Sequence, residues 1–127
     1  HCTRNLQDTC LSIFKTKFTN ISENKWSYSL KEIIDYHKMY KDLMDYWKKL
    51  IPNYIYDISY EKLINSNLEE IKNLSVFCKL NWEDNLSKFY QNKRSVDTAS
   101  ALQVRKPIYN TSINYWKNFE KRLIQFF

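Results

Sequence analysis

The residues best suited to bind an anion in this chain are its arginines. Only four of the 20 cationic residues are Arg, and three of them, Arg4, Arg94 and Arg105, lie in segments predicted to be turns. A guanidinium presents a planar fork that can grip a phosphate with two hydrogen bonds, whereas a Lys ammonium acts as a point charge. Because exposed turns also tolerate Arg without any function, the pattern indicates a phosphate site but leaves that second interpretation open.

One candidate site lies at the start of the chain. Arg4 ends a predicted strand stub at 1–4, and Ser12 follows eight positions later on the next predicted helix. A turn at 5–8 can bring the guanidinium and the hydroxyl onto one anion near the helix N-terminus, where the helix dipole favours negative charge. The pair therefore predicts an anion-binding site at the beginning of that helix.

A second candidate site lies in the sequence VDTASALQVRKPIYNTSINYW, residues 96–116. This stretch puts Arg105 beside Lys106 and fixes the backbone that follows with Pro107. The doubly cationic turn comes after Ser100 and leads directly into an aromatic segment that is predicted to be helical. Ligand contacts concentrate in turns of this kind, so an anion is the expected ligand here as well.

The composition restricts how a phosphate could be held. The chain contains no glycine, although ordinary usage of about 7% would give roughly nine. A Gly-rich loop that brings backbone amides onto a phosphate is therefore excluded, and side chains must do most of the binding. The net charge of +6 and the pI near 9.2 favour an anionic partner, which could be a nucleotide, a nucleic acid or an acidic lipid surface.

Local patterns in the first half of the chain predict helices joined by a short strand. Asp8 is predicted to cap the first helix. The inward face of that helix would carry three apolar residues, Leu11, Phe14 and Phe18. The sequence SLKE, residues 29–32, is typical of a capping box and starts a long helix that Pro52 ends. The alternating sequence YIYDIS, residues 54–59, predicts a strand that leads into the helical YEKLI.

The second half of the chain is predicted to be helical apart from one loop. Two helices and the loop are expected at about 67–79, 83–92 and 93–110. Thr111 or Ser112 is predicted to cap a last helix that continues to about Leu123. Since no repeat or linker marks a boundary, a single domain over 1–127 is expected.

Several other residues invite a functional interpretation that their context does not favour. His37 lies on the apolar face of the long helix without a second ligand at metal spacing, so a hydrogen-bonded core histidine is expected. Three tryptophans that could stack on bases follow apolar stripes and are expected in the core: Trp47, Trp82 and Trp116. The three cysteines form no Cys-x-x-Cys pair, which favours reduced, cytoplasmic thiols over disulfides or a zinc site. No apolar run approaches the roughly 20 residues that a membrane span needs.

The stretch TRNLQDTCLS, residues 3–12, resembles part of a known family. In sulfotransferases that use 3′-phosphoadenosine 5′-phosphosulfate (PAPS), an Arg and a Ser separated by seven residues hold the 3′-phosphate of the cosubstrate. Arg4 and Ser12 match this pair. The stretch YHKMYKDLMDYWKKLIPNYIYDISYEKLI, residues 36–64, is similar to the bacterial tetratricopeptide-linked and tyrosylprotein-type branches, and in many sulfotransferases its tyrosine, here Tyr60, lies at the adenine.

The resemblance continues in NKRSVDTASALQVRKPIYNTSINYWKNF, residues 92–119, which looks like the C-terminal loop of the same branches. It implies that the cationic turn closes over the phosphates of the nucleotide, and related branches place the cation at either the Arg105 or the Lys106 position. By the same resemblance, Ser100 would lie near the sulfuryl bridge. The cytosolic sulfotransferases have Gly where this chain has Pro107.

Taken together, the residues and the resemblance predict the C-terminal part of an α/β, P-loop-like sulfotransferase domain, mostly helical, with one or two short strands. The parent would transfer a sulfuryl group from PAPS to a hydroxyl or amine of an unknown acceptor, without a metal. The 5′-phosphosulfate loop and the region that normally supplies the catalytic base are expected in an upstream half of the domain. The chain alone is therefore expected to be inactive, with no residue assigned as the base.

Two other classes of protein fit the composition. A small basic helical nucleic-acid-binding module would need Lys residues converging on one face with exposed aromatic side chains among them. A helical interaction protein would need no ligand at all. The aromatic residues follow the predicted core stripes, which favours the sulfotransferase interpretation over the nucleic-acid one.

Overall fold

The structure is a computed structural model that describes residues 1–20, 22–96 and 101–127. The backbone divides into two compact units, and each combines two separate stretches of the chain. Unit 1 contains His1–Thr3 and Tyr56–Thr111, and unit 2 contains Arg4–Ile55 and Ser112–Phe127. Because the chain leaves each unit and returns to it, neither unit is a continuous stretch of sequence.

Unit 1 contains a parallel pair of two-residue strands, β1 (Cys2–Thr3) and β2 (Ile58–Ser59). Cys2 pairs with Ile58, and Thr3 pairs with Ser59. The predicted strand is confirmed in its position but is shorter than 54–59, because only Ile58 and Ser59 pair with β1, which is itself two residues long. Ser59 also caps the next helix by accepting a hydrogen bond from the Lys62 amide at 3.4 Å. Strand and helix therefore meet without a loop, and the fold is mostly helical with a small parallel sheet.

Two α-helices follow β2, α3 (Tyr60–Asn65) and α4 (Asn67–Phe77). Helix α4 ends in a Schellman motif, in which the Leu80 amide donates to the Ser75 carbonyl at 2.9 Å and the Lys79 amide donates to the Val76 carbonyl at 3.0 Å. Lys79 adopts the left-handed conformation, with φ of 55°, that Gly usually supplies at this position. In a chain without glycine, a lysine takes this role.

Two 3-10 helices of unit 1 lie where the sequence predicts a helix and a loop. Asp84–Gln91 replaces the helix predicted at 83–92, and a kink at Lys88 interrupts it. A single 3-10 turn, Gln103–Arg105, lies within the predicted loop. Lys106 then becomes extended, as expected for a residue that precedes proline.

Unit 2 is built on α1 (Leu6–Lys15) and α2 (Leu30–Leu50), with a short 3-10 helix at Lys25–Tyr28 between them. The long helix is confirmed: Ser29 caps it by accepting from the Glu32 amide at 3.4 Å. The unit is completed by 3-10 helices at Tyr115–Phe119 and Ile124–Phe126 that flank α5 (Glu120–Leu123). The prediction that Thr111 or Ser112 caps a last α-helix is wrong, because the helical region begins only at Tyr115, after a left-handed Asn114.

The buried apolar residues of unit 2 form two small clusters, one with Cys10, Ile33 and Ile34 and one with Leu11, Trp116 and Leu123. The predicted core is only partly correct. Leu11 and Trp116 are buried, whereas Phe14 is 43% exposed and Trp47 is 40% exposed. The fully buried residues of α2, Ile33 and Ile34, lie in its first two turns, whereas Leu43 and Leu50 in its second half are 53% and 55% exposed. In unit 1, Trp82 is likewise 36% exposed.

None of the helices in the described ranges combines the length and the apolar character needed to cross a membrane.

Candidate functional site

The first turn of α1 begins at Leu6 because Asn5 caps it. The Asn5 side-chain oxygen accepts a hydrogen bond from the Asp8 amide at 3.0 Å. The prediction that Asp8 is the cap is therefore wrong, and Asp8 is the third residue of the helix. The helix is ten residues long, which is enough for its N-terminal amides to favour a nearby negative charge.

Asp8 is buried, with 2% of its surface exposed. Its Oδ2 accepts from the Asn114 amide at 2.7 Å, and its Oδ1 accepts from the Trp116 amide at 2.9 Å. Asn114 makes this possible by adopting the left-handed conformation, with φ of 56° and ψ of 21°. Asn tolerates that conformation better than most residues. Both oxygens of one carboxylate thus bind the backbone of a segment more than 100 positions away.

Arg4 contacts the same distant segment. One terminal nitrogen of its half-buried guanidinium donates to the Ser112 carbonyl oxygen at 2.6 Å. The segment 112–116 is therefore held by Arg4 at its first residue and by Asp8 at its third and fifth residues. We call this segment the anchored turn.

Ser12 lies on the exposed surface of α1. It follows Asp8 by four residues, so both side chains lie on the same face of the helix. Its carbonyl accepts from the Thr16 hydroxyl at 2.8 Å. Lys15 lies on this face too, and its Nζ is 4.3 Å from the centre of the Tyr115 ring in the anchored turn.

Side chains that can donate to an anion are spread along α1 and the residues before it. The Arg4 guanidinium precedes the helix, the Ser12 hydroxyl lies about two turns into it, and the Lys15 ammonium is at its last residue. The Asp8 carboxylate, which would repel an anion, is buried and accepts from backbone amides. Charged and neutral donors of these kinds suit the oxygens of a phosphate dianion.

The other residues predicted for the site belong to unit 1. Tyr60 is the first residue of α3 and is half-buried. Arg105 donates from a terminal nitrogen to the Arg94 carbonyl, and Lys106 is exposed. Ser100 lies outside the described residues.

His37 and Cys10 are among the residues outside this site whose pKa values are shifted. Burial, with a smaller contribution from the Lys41 charge, lowers the pKa of His37, whose ring packs edge-on against Tyr40 with 5.6 Å between centres. Burial raises the pKa of the Cys10 thiol to about 11, against a smaller opposing effect from a backbone hydrogen bond. Within the described parts of the chain, no group of three or more His, Cys, Asp and Glu side chains is arranged to hold a metal ion.

Comparison with known proteins identifies the family. A model described as the sulfotransferase family matches residues 1–84. The chain belongs to the sulfotransferase family. The sulfotransferase match includes Arg4, Ser12 and Tyr60, and the anchored turn lies beyond it. The start of α1 therefore lies in the part of the chain that matches the family.

This sulfotransferase-family chain is also similar to an uncharacterized protein of Aquifex aeolicus (strain VF5). The two are 36% identical over 124 residues, which is 97% of this chain and 16% of the relative. The chain thus spans about one sixth of the length of the relative that it matches. No solved structure matches the chain.

Asp8 and Asn114 are the residues whose roles the sequence interpretation missed. A local signal existed for one part of the arrangement: the spacing Asn5-x-x-Asp8 is that of an N-cap and a third helical residue, as in a capping box. That spacing favours Asn5 as the cap, and the Asp8 carboxylate can then accept hydrogen bonds from other residues. The identity of that partner has no local signal, because Asp8 and Asn114 are 106 positions apart.

Proposed function

We propose that this chain contributes the 3′-phosphate-binding part of a sulfotransferase domain that uses PAPS. The observation that supports this most directly is that Arg4, just before α1, and Ser12, within α1, both lie in the family-matched residues. An Arg fork beside a helix N-terminus and a hydroxyl on the same helix suit a terminal phosphate dianion. The order of the motifs further supports the C-terminal part of the domain, in the bacterial tetratricopeptide-linked or tyrosylprotein-type branch.

Four other residues enter the proposal through the resemblance. Tyr60 is proposed to lie at the adenine, and Ser100 near the sulfuryl bridge. Arg105 or Lys106 is proposed to contact the nucleotide phosphates. A cation at the departing phosphate would stabilise the negative charge that develops there during transfer.

The chain's own residues would bind and orient the nucleotide. The sulfuryl donor supplies the group that is transferred to a hydroxyl or amine acceptor. Deprotonation of that acceptor requires a base, for which no residue of this chain is proposed. We therefore expect no turnover by the 127-residue chain alone, and we place the base and the 5′-phosphosulfate loop in the remainder of the parent domain.

Calorimetric titration of the full-length natural protein tests the proposal. Adenosine 3′,5′-bisphosphate should bind more tightly than adenosine 5′-phosphate, because only the first carries the group that Arg4 and Ser12 contact. Equal affinities for the two nucleotides would contradict the proposal. Single-stranded DNA at two salt concentrations is the second arm, since tight binding that weakens steeply with salt is typical of the nucleic-acid module.

A further inference from the structure

The anchored turn links Arg4 to Asp8, a residue for which no contact with the nucleotide is proposed. Arg4 donates to the Ser112 carbonyl at 2.6 Å, so the direction of its guanidinium depends on where that carbonyl lies. An Arg side chain has many rotamers, and fixing one of them has an entropic cost that a preset partner lowers at the moment of binding. A guanidinium carries five donors, so donation to a carbonyl and donation to an anion are compatible.

Asp8 binds the backbone that follows the Ser112 carbonyl. Two and four residues after Ser112, the Asn114 and Trp116 amides donate to the two Asp8 oxygens at 2.7 and 2.9 Å. Asp8 lies in the first turn of α1, and Arg4 lies just before that helix. The two residues are therefore close along the chain, and both also bind the anchored turn.

Apolar packing alone does not place the carbonyl. The Trp116 ring is buried with Leu11 and Leu123, which holds the far end of the anchored turn against α1. The middle residue of the anchored turn, Asn114, is left-handed, a conformation that costs free energy in residues other than Gly, although less in Asn than in most. The hydrogen bond from its amide to Asp8 offsets that cost and constrains the backbone between Trp116 and Ser112.

We propose that Asp8 is a positioning residue for the binding of the 3′-phosphate by Arg4. Through its two hydrogen bonds to the anchored turn, Asp8 places the Ser112 carbonyl, and that carbonyl orients the Arg4 guanidinium. The inference rests on the proposed function, because it needs Arg4 to contact the phosphate. Asp8 itself contacts no part of the nucleotide. Its contribution is to preset the donor before the ligand arrives.

The test uses Asp8→Asn in the full-length natural protein. The amide keeps one acceptor oxygen and puts an NH2 donor opposite a backbone N–H, so one of the two hydrogen bonds is lost. The affinity for adenosine 3′,5′-bisphosphate should fall by about 5- to 30-fold, less than for removal of Arg4 itself. The affinity for adenosine 5′-phosphate should stay within about twofold, since it lacks the group that Arg4 holds. The measured quantity is the nucleotide ratio, which is the affinity for adenosine 3′,5′-bisphosphate divided by the affinity for adenosine 5′-phosphate.

Ile33→Val is the matched control. Ile33 is buried in the other cluster of unit 2, with Cys10 and Ile34, so this variant lowers stability without touching the anchored turn. It should lower the melting temperature and leave the nucleotide ratio at the wild-type value. A loss of melting temperature in Asp8→Asn with an unchanged ratio would show that Asp8 is only structural, and it would overturn the inference.

A second pair of variants avoids dependence on one substitution. Asn114→Gly keeps the left-handed conformation available and should preserve the ratio, whereas Asn114→Ala disfavours it and should lower the ratio. Hydrogen exchange of the Asn114 and Trp116 amides should be faster in Asn114→Ala and Asp8→Asn than in wild type. Equal ratios in the Gly and Ala variants, with faster exchange only in Ala, would overturn the inference.

Failure of the proposed function is recognised separately. If the wild-type protein does not distinguish the two nucleotides, the 3′-phosphate assignment is wrong, and the positioning role is overturned with it. If wild type distinguishes them and Arg4→Ala does not, but Asp8→Asn keeps the wild-type ratio, only the positioning role is wrong.

Discussion

Arg4 and Ser112 are 108 positions apart and joined by a hydrogen bond of 2.6 Å. The first residue lies inside the stretch that matches the sulfotransferase family and the second lies beyond it. A proposed ligand-binding side chain is thus oriented by a part of the chain that the family match does not cover.

Replacing Arg4 with Ala should weaken binding of adenosine 3′,5′-bisphosphate by about 10- to 150-fold, because charge-assisted hydrogen bonds contribute about 1.5 to 3 kcal/mol. Arg4→Lys should recover only part of this loss, since a point charge replaces a fork. Ser12→Ala removes a neutral donor and should cost less than Arg4→Ala. Titration calorimetry with the full-length protein measures all three variants, and adenosine 5′-phosphate is the control ligand. An equal loss for both nucleotides in Arg4→Ala would remove Arg4 from the 3′-phosphate site.

Replacing Arg105 or its neighbour Lys106 with Ala should weaken nucleotide binding to different extents. If Arg105 contacts the nucleotide phosphates, Arg105→Ala should weaken binding of the bisphosphate by about 10- to 150-fold, and Lys106→Ala should have a smaller effect. The Arg105 side chain also donates to the Arg94 carbonyl, so its loss should loosen the turn as well. Melting temperatures measured beside the affinities separate these two effects. A larger loss of affinity in Lys106→Ala would assign the contact to the lysine.

The three thiols should react at different rates with Ellman's reagent. Cys2 and Cys78 are exposed, whereas Cys10 is buried and its pKa is raised to about 11. Since the thiolate is the reactive form, Cys10 should react only after unfolding. The native protein should therefore release two equivalents of thionitrobenzoate quickly, and the denatured protein should release three. Cys10→Ala should lower only the denatured count, and rapid release of three equivalents from the native protein would contradict the burial of Cys10.

Stability should depend on pH through His37. Burial and Lys41 lower the pKa of His37 in the folded state, so below the ordinary value of 6.5 the unfolded chain binds more protons. The stabilising contribution is therefore complete above pH 6.5 and is lost as the pH falls through the folded pKa. Urea unfolding of wild type and His37→Gln between pH 5 and 8 measures this, because the variant lacks the titrating group. The stability lost by wild type toward pH 5 should exceed that lost by the variant. Parallel curves would show that His37 titrates equally in both states.

The second half of α2 should bind an apolar dye. Met39, Leu43 and Leu50 are 62%, 53% and 55% exposed on one face of the helix. Leu43→Gln should reduce the fluorescence of bound Nile red and leave the melting temperature within a few degrees, because an exposed side chain contributes little to stability. Lys38→Gln on the same helix is the matched control and should change neither quantity. Wild-type chain that binds no dye would contradict the exposed face.

Local signals in the sequence determined several elements of this protein. Ser29 and Glu32 set the start of α2, and Ser59 sets the strand-to-helix junction before Tyr60. Such caps depend on hydrogen bonds between residues three positions apart, so the residues that make them are adjacent in the sequence. The proximity of Arg4 to the helix that carries Ser12 follows for the same reason. These helix starts could therefore be predicted without a structure, whereas the roles of Arg4 and Ser12 in ligand binding stay predictions.

Only the tertiary structure decided which apolar face of α2 is covered. The helix carries one stripe through Leu30, Ile33 and Ile34 and another through Met39, Leu43 and Leu50, and both have helical spacing. Periodicity identifies an amphipathic helix but does not choose between two stripes, because burial depends on which neighbours pack against each one. Here α1 covers the first stripe through Cys10.

The partner of Asp8 was likewise decided by the tertiary structure. A carboxylate in a first helical turn can serve as a cap, face solvent or accept from a distant backbone, and the residues around it are similar in all three cases. Asp8 accepts from Asn114 and Trp116 because folding brings the two ends of unit 2 together and exposes backbone amides to a buried carboxylate that requires donors. That requirement acts through space and leaves no trace in the neighbouring sequence.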